Sequence, residues 1–274
     1  MISVGLLFFS CSADNDTIRI KGSDTEVNLV VQLTESFRNV GLNTFISVSG
    51  GGSGLGIASL MNGTADIANS SRAINAEELR LLKERGITID SFVFAIDAIA
   101  FVVSKDLGID SINVDDLADV LSGKVDNWSR LAHKNMPVTI YGRQSNSGTH
   151  DFVKNKLNID FSPHARQMNG NSQILEAIYS DHSGIGYVGA GYVMHGGGKG
   201  LKVLKVVDEK RVVSSPLDEL TIAKNAYPFQ RPLFQYFEKS SFSKIRPFLD
   251  FERSVKGAEI IRQSGYYTVG TEPE

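Results

Sequence analysis

The sequence predicts an α/β fold with largely parallel sheets. Short β-branched and aromatic runs alternate with stretches whose apolar residues fall at helical spacing. Turns of Gly, Ser, Thr and Asn separate them. The run Phe92–Ser104 (FVFAIDAIAFVVS) is apolar on both alternating faces, as in a strand covered on both sides. At roughly 150 residues per domain, a chain of 274 residues holds two domains or one large one.

Met1–Ser10 (MISVGLLFFS) is apolar, and the lone cysteine, Cys11, follows before the polar SADNDT. The run is shorter than the ~20 residues that span a bilayer and fits the apolar core of an export signal. A small residue before a lone cysteine at an apolar-to-polar boundary resembles a bacterial lipoprotein processing site. Phe8 stands where that pattern has Leu, and no Lys or Arg precedes the run. The competing reading is a buried thiol on a short apolar strand. Residues 14–16 read as a tether.

Thr17–Lys21 alternates like a strand, and Gly22–Thr25 (GSDT) is a turn. Glu26–Phe37 is a helix, with Leu29, Val30, Leu33 and Phe37 on one side. The unit repeats as strand Phe45–Ser49, turn Gly50–Gly56 (GGGSGLG) and a helix from Ile57 to Asn62-Gly63. Asp66–Asn69 is a short strand ending in Ser70-Ser71-Arg72. Asn75 and Glu78 form a capping box for a helix that Gly86 ends. Asp97 interrupts the long run Phe92–Ser104, which excludes a transmembrane helix there.

Val114–Leu121 reads as a helix, and Gly123–Leu131 as a compact loop around Trp128. Strand Val138–Tyr141 leads into a third polar turn, Gly142–His150 (GRQSNSGTH), and a helix Asp151–Leu157. Ser172–Ser180 is a helix, Gly184–Val188 a strand, and Leu201–Val207 another strand. His195 lies in a glycine-rich surface loop. The chain is extended near Tyr227-Pro228, and Arg231-Pro232-Leu233 opens a last helical stretch with stripes at Phe248, Phe251, Val255, Ile260 and Ile261.

Composition removes several function classes. With 42% hydrophobic and 22% charged residues the chain is globular, not collagenous, disordered or multi-span. A net charge of −3 argues against a nucleic-acid partner. One cysteine makes no internal disulfide and no cysteine zinc site, and the five histidines form no HExxH pair. No metal or cofactor is expected. GGGSGLG lacks the lysine of a phosphate-binding P-loop and the acidic partner of a dinucleotide fingerprint. No G-x-S-x-G elbow is present, and Ser147–His150 are adjacent at a helix start, so they do not face one another. The sequence is not that of an enzyme.

The three polar turns share one design: small hydroxyl residues between a strand and a helix. A helix start presents unpaired N–H groups and about half a positive charge. Glycine admits close approach, and Ser or Thr adds a donor. Arg143 adds a charge in the third turn. Together they point to an anion bound beyond the carboxyl ends of the strands.

The set GSDT (Gly22–Thr25), GGGSGLG (Gly50–Gly56), DIANSSR (Asp66–Arg72) and GRQSNSGT (Gly142–Thr149) resembles the phosphate-binding proteins of bacterial ABC importers, the PstS family. GIGYVG (Gly184–Gly189) and YPFQRPLF (Tyr227–Phe234) extend the likeness over roughly residues 17–274. The resemblance implies a type II periplasmic-binding-protein fold: two α/β domains joined by a two-crossover hinge, with the ligand in the cleft. Domain I would be 17–97 plus 228–274, and domain II 98–227, after a signal and tether at 1–16. The implied ligand contacts are Ser23, Asp24, Thr25, Ser53, Ser71, Arg143, Ser147, Gly148 and Thr149. The implied role is a lipid-anchored solute-binding protein, attached through Cys11 on the extracytoplasmic face of the membrane (the periplasm). It would hand inorganic phosphate to an ABC permease complex in the inner membrane. Sulfate or molybdate binding, or phosphate sensing at the surface, stays open beside it. Ser71 stands where well-studied members carry the acidic residue that accepts the proton of phosphate. Asp24 is the candidate replacement, with a helix N-cap as its alternative role.

Overall fold

The computed structural model describes residues 17–39, 44–194 and 200–269. The export signal, Cys11 and the tether, and His195 with its loop, lie outside the described residues.

The first half begins with β1 (Ile18–Gly22), whose Ile18 and Ile20 are buried on one face. A short 3-10 turn at Asp24–Glu26 leads into α1 (Val27–Arg38), which buries Leu29, Val30, Leu33 and Phe37. Next come β2 (Ile46–Ser49), α2 (Ser53–Met61), β3 (Ile67–Ser70) and α3 (Ala76–Glu84). The expected capping box of α3 is present: Glu78 N donates to Asn75 Oδ1 at 2.8 Å, and Asn75 N to Glu78 Oε2 at 2.9 Å. β1 pairs in parallel with β2 and β3. At its end, Gly22 has φ +141°, and a Cβ there would sit 2.1 Å from the Asn69 carbonyl oxygen, so only glycine fits.

β4 (Ile89–Ser104) carries the chain into the second half. There follow β5 (Ser111–Asn113), α4 (Val114–Leu121), α5 (Ser129–Ala132), β6 (Thr139–Arg143), α6 (Gly148–Leu157), β7 (Arg166–Met168) and α7 (Asn171–Ser180). β8 (Gly184–Gly189), α8 (Gly191–Met194), β9 (Leu201–Val203), β10 (Lys205–Val207), β11 (Val213–Ser214) and α9 (Glu219–Ala223) complete it. β12 (Gln230–Glu238) returns the chain to the first half, where α10 (Phe242–Glu252) and α11 (Val255–Gln263) pack.

A nine-stranded sheet runs β2-β1-β3-β12-β4-β8-β6-β7, with β9 also on β4. The first part of β4, to Ala98, pairs with β12, and the part from Ile99 pairs with β8. One core draws on Ile18 to Ala95 and Leu233 to Tyr266. Another runs from Ala98 to Phe229 around Trp128, whose Nε1 donates to the Ser183 carbonyl at 2.8 Å.

Several expectations are corrected. Arg231-Pro232-Leu233 opens no helix but lies in strand β12, whose residues alternate toward the core. Pro232 is tolerated because β12 pairs with β3 only at Phe234–Tyr236 and has β4 alone as neighbour at the proline. The sheet is mixed rather than largely parallel, because the outgoing β4 and the returning β12 run in opposite directions. Leu201–Val207 is two strands: β9 joins β4, β10 joins β5, and buried Leu204 lies between. Val255 is 87% exposed in the first turn of α11 and forms no part of its stripe. Two helices start earlier than expected, α2 at Ser53 within the glycine turn and α6 at Gly148, and the segment read as a loop around Trp128 runs into a short helix, α5.

Glu26 and Glu252 are both fully buried. Glu252 Oε1 accepts from Gln235 Nε2 at 3.0 Å. Burial pushes the Glu252 carboxyl up from 4.5 to about 8, and Glu26 well above its ordinary value. At a pH between the unfolded and folded values, the folded carboxyl holds a proton that its unfolded counterpart has lost. The stability present at low pH is therefore lost progressively as pH rises towards the folded value. Raising the pH from about 5 to about 8 is expected to lower the melting temperature of the parent protein by several degrees more than that of Glu252→Gln. Calorimetric melts at the two pH values check this.

Candidate functional site

The three polar turns meet between the two halves of the molecule. The first follows β1, the second leads into α2, and the third joins β6 to α6. Ser23 Oγ donates to Ser71 Oγ at 3.0 Å, and Ser53 Oγ lies 3.4 Å from Ser71 Oγ while accepting from Ser71 N at 3.1 Å. Across the junction, Thr25 Oγ1 and Thr149 Oγ1 share a hydrogen bond of 3.0 Å. Gly148 closes against the serines: a Cβ there would lie 2.5 Å from Ser53 Oγ and 2.7 Å from Ser71 Oγ. Further out, Gly54 N donates to the Asn146 carbonyl at 3.0 Å, and Asn146 Nδ2 to the Gly51 carbonyl at 3.0 Å. Arg72 reaches Asp151 at 3.0 Å and Glu78 at 2.7 Å.

The local sequence explains this convergence. Ser147 is the N-cap of α6, and its Oγ accepts from Thr149 N at 3.2 Å, so its hydroxyl oxygen already serves the helix. Gly148, in the first turn of α6, carries an N–H group that the helix itself does not use, whereas Thr149 N is taken by the Ser147 cap. Ser53 stands in the same place on α2, after Gly52 at φ +101°, a conformation that favours glycine. Serines 23, 53, 71 and 147 and Thr25 and Thr149 are all buried.

Arg143 ends β6 with 2% of its side chain exposed. Its backbone N donates to Tyr187 Oη at 3.1 Å, and Nη2 donates to the Asn169 carbonyl at 2.9 Å. Nε and Nη1 are buried without a hydrogen-bond acceptor, although Nη1 lies 3.5 Å from Asp24 Oδ2. Burial pushes the guanidinium's pKa down, and the Asp24 carboxylate opposes that shift. Asp24 does not cap its own short helix, whose N-cap is Ser23. Instead its Oδ2 accepts from Asn171 N at 2.9 Å and Asn171 Nδ2 at 2.7 Å, at the start of α7 in the other half. Tyr192 Oη donates to the Asp24 carbonyl at 2.6 Å.

Ser23, Thr25, Ser53, Ser71, Gly148 and Thr149 thus form one hydroxyl-rich cluster. Asp24 and Arg143 pair beside it, and Ser147 caps the helix that carries the third turn. Sequence reasoning missed two central residues, Asp97 and Arg231. They lie opposite each other on β4 and β12, with Arg231 Nη2 2.9 Å from Asp97 Oδ2. Arg231 Nη2 also donates to Thr149 Oγ1 at 2.9 Å and Thr25 Oγ1 at 3.3 Å, and Nη1 to the Ser71 carbonyl at 3.1 Å. Burial raises the Asp97 pKa, and Arg231 counters it. The signal for Asp97 was its place as the one charge inside the apolar run Phe92–Ser104. Asn171 was missed too; nothing in its local sequence marks it. Among the described residues, no group of three or more His, Cys, Asp or Glu side chains is placed to hold a metal ion.

What this arrangement can do chemically is surround a small anion with hydroxyl, backbone and guanidinium donors away from water. Comparison with known proteins agrees in kind. A family model described as a PBP superfamily domain matches residues 11–254. A phosphate-binding protein PstS of Borreliella burgdorferi is 30% identical over 99% of this chain and 97% of its own length. Among solved structures, the chain is similar to a putative phosphate ABC transporter substrate-binding protein of Clostridium perfringens, determined with bound phosphate. The TM-score is 0.82 at 22% identity, over 93% of this chain and 100% of that one. An ABC-type phosphate transport receptor of Vibrio cholerae aligns with TM-score 0.73 and 24% identity, over 92% of this chain and 99% of that one.

The tight approach at Gly148 is directly testable. Gly148→Ala keeps a good helix former in α6 but drives a methyl group into the Ser53 and Ser71 hydroxyls. It is expected to weaken binding of a tetrahedral oxyanion at least about tenfold, roughly 1.4 kcal/mol, while the protein still melts cooperatively. Calorimetric titration and a thermal melt check the two halves of the statement.

Proposed function

The chain belongs to the PBP superfamily and, within it, to the PstS family, and on that footing we propose that it captures inorganic phosphate outside the cytoplasmic membrane and delivers it to an ABC permease. Its architecture is the type II periplasmic-binding-protein fold. The observation that carries the reading is Arg143: a buried guanidinium whose Nε and Nη1 find no acceptor within the protein. Leaving charged donors unmatched away from water is costly, and an oxyanion supplies acceptors for them. The neighbouring Ser, Thr and helix-start N–H donors complete its shell.

The magnitudes agree. A micromolar site needs about −8 kcal/mol, and each hydrogen bond to a charged group contributes roughly 1.5–3 kcal/mol before closure and desolvation are subtracted. The domains that close over the ligand are 17–97 with 228–274 and 98–227, hinged where β4 and β12 cross. Attachment to the membrane is through a lipid on Cys11. Within the site, Asp24 accepts the proton of phosphate: its Oδ2 is held by Asn171, and the other carboxylate oxygen serves the ligand. A carboxylate facing fully ionised sulfate would set two acceptors together with no proton between them.

Calorimetry on extensively dialysed protein, with phosphate, sulfate and molybdate in turn, tests the reading. Phosphate is expected to bind most tightly, and a clear preference for sulfate or molybdate would overturn the assignment. Arg143→Lys is expected to weaken phosphate binding about tenfold or more, because the planar fork is lost. Full affinity in that variant would remove Arg143 from the site. Asp24→Asn is expected to narrow the preference for phosphate over sulfate by about tenfold. Unchanged discrimination would end the acceptor role.

A further inference from the structure

Arg231 contributes no contact that the sequence motifs foretell, yet its guanidinium touches the first and third polar turns and the end of β3. Nη1 donates to the Ser71 carbonyl at 3.1 Å, and Nη2 reaches Thr25 Oγ1 at 3.3 Å and Thr149 Oγ1 at 2.9 Å. Nε and Nη2 bind Asp97 Oδ2 at 3.1 and 2.9 Å. The pair is closed from solvent, with 2% of the Arg231 side chain and none of Asp97 exposed. Such a pair is weak evidence for stability, because well-packed apolar residues often do as well. Its use lies in what the guanidinium does to its neighbours.

A guanidinium only donates, whereas a hydroxyl has one hydrogen and two lone pairs. Arg231 Nη2 has two hydrogens: with Asp97 Oδ2 taking one, the lone pairs of Thr25 and Thr149 share the other. One hydroxyl hydrogen lies between the two threonines, which are 3.0 Å apart. The other has no acceptor within the cluster. We propose that Arg231 is a positioning residue of the anion site: by donating to the Thr25 and Thr149 oxygens it turns a hydroxyl hydrogen of the pair toward the ligand, while Asp97 cancels its charge. The inference rests on the anion-binding reading above. It implies that this edge presents a hydrogen to an ionised ligand oxygen. Thr25 stands in the first half and Thr149 in the second, so the edge exists only where the two halves meet.

The test compares the parent protein, Arg231→Lys and the charge-neutral double variant Asp97→Asn/Arg231→Gln, which strands no buried charge. Each is melted to verify folding, then titrated with inorganic phosphate at about pH 5 and about pH 8 and with sulfate. A glutamine at 231 can accept as well as donate. The double variant is therefore expected to lose about tenfold to a hundredfold in affinity at the higher pH and several-fold less at the lower, where phosphate carries more protons. Arg231→Lys, still donor-only, is expected to keep the parent's ratio between the two pH values. A double variant whose affinity is unchanged, or falls equally at both pH values, would overturn the proposal, the second being the outcome of a merely structural pair. If the parent binds sulfate but not phosphate, the phosphate assignment fails. Arg231 is then judged on sulfate: a loss in the double variant supports it and an unchanged affinity overturns it. A parent that binds neither anion ends both.

Discussion

The antiparallel contact of β4 with β12 is the constraint on which the rest depends. β4 is shared by the two parts of the sheet: its first ten residues face β12, and those from Ile99 to Val103 face β8. Each part has its own apolar core, so the two halves are joined by extended backbone rather than by one continuous interior. Extended strands can bend with small changes in several dihedrals, whereas a shared close-packed core would resist it. The Asp97–Arg231 pair sits in the middle of this junction, where backbone register alone sets the two side chains opposite one another.

From that junction the turns radiate. Parallel pairing of β1 with β2 and β3 brings the ends of β1 and β3 together, and with them Ser23 and Ser71. The parallel pairing of β6 with β8 and β7 does the same for Arg143 and Asn169 in the other half. Each turn is then followed by a helix whose first N–H groups point back to the sheet ends. The site is a consequence of sheet order: residues more than a hundred positions apart, such as Thr25 and Thr149, become hydrogen-bonded neighbours because both follow strands that end at the same junction.

This explains what could be read from the chain and what could not. Local rules suffice for the α3 capping box and for α4, whose bounds match the reading at both ends. They also suffice for the three turns, because glycine, hydroxyl and N-cap preferences act over a few residues. They fail at Arg231-Pro232. A proline after a polar turn is a helix-start signal, and only the partner strand β4 makes the segment a strand. Asp24 is the intermediate case. Its position in the first turn is legible, but its partner Asn171 lies 147 residues away and belongs to the other half, so the choice between cap and cross-cleft acceptor needs tertiary structure.

Charge follows the same division between local and global. The chain is net negative by three, yet that total has little bearing on an anion site. Two pairs of opposite formal charge stand in and behind it, Asp24 with Arg143 and Asp97 with Arg231, and within each pair the charges cancel. Glu26, next to Thr25, has its carboxyl pKa pushed well up by burial, which opposes a further negative charge there. What remains is an array of oriented donors: hydroxyl hydrogens, helix-start N–H groups and the unmatched nitrogens of Arg143. In a site closed from water such fixed dipoles act at low effective dielectric, so their orientation governs which anion is held. A site built on orientation rather than surplus charge distinguishes a protonated oxygen from an ionised one at each edge. That gives a physical reason for the proposed acceptor Asp24 and the hydroxyl donor Thr25 to stand side by side in the same turn.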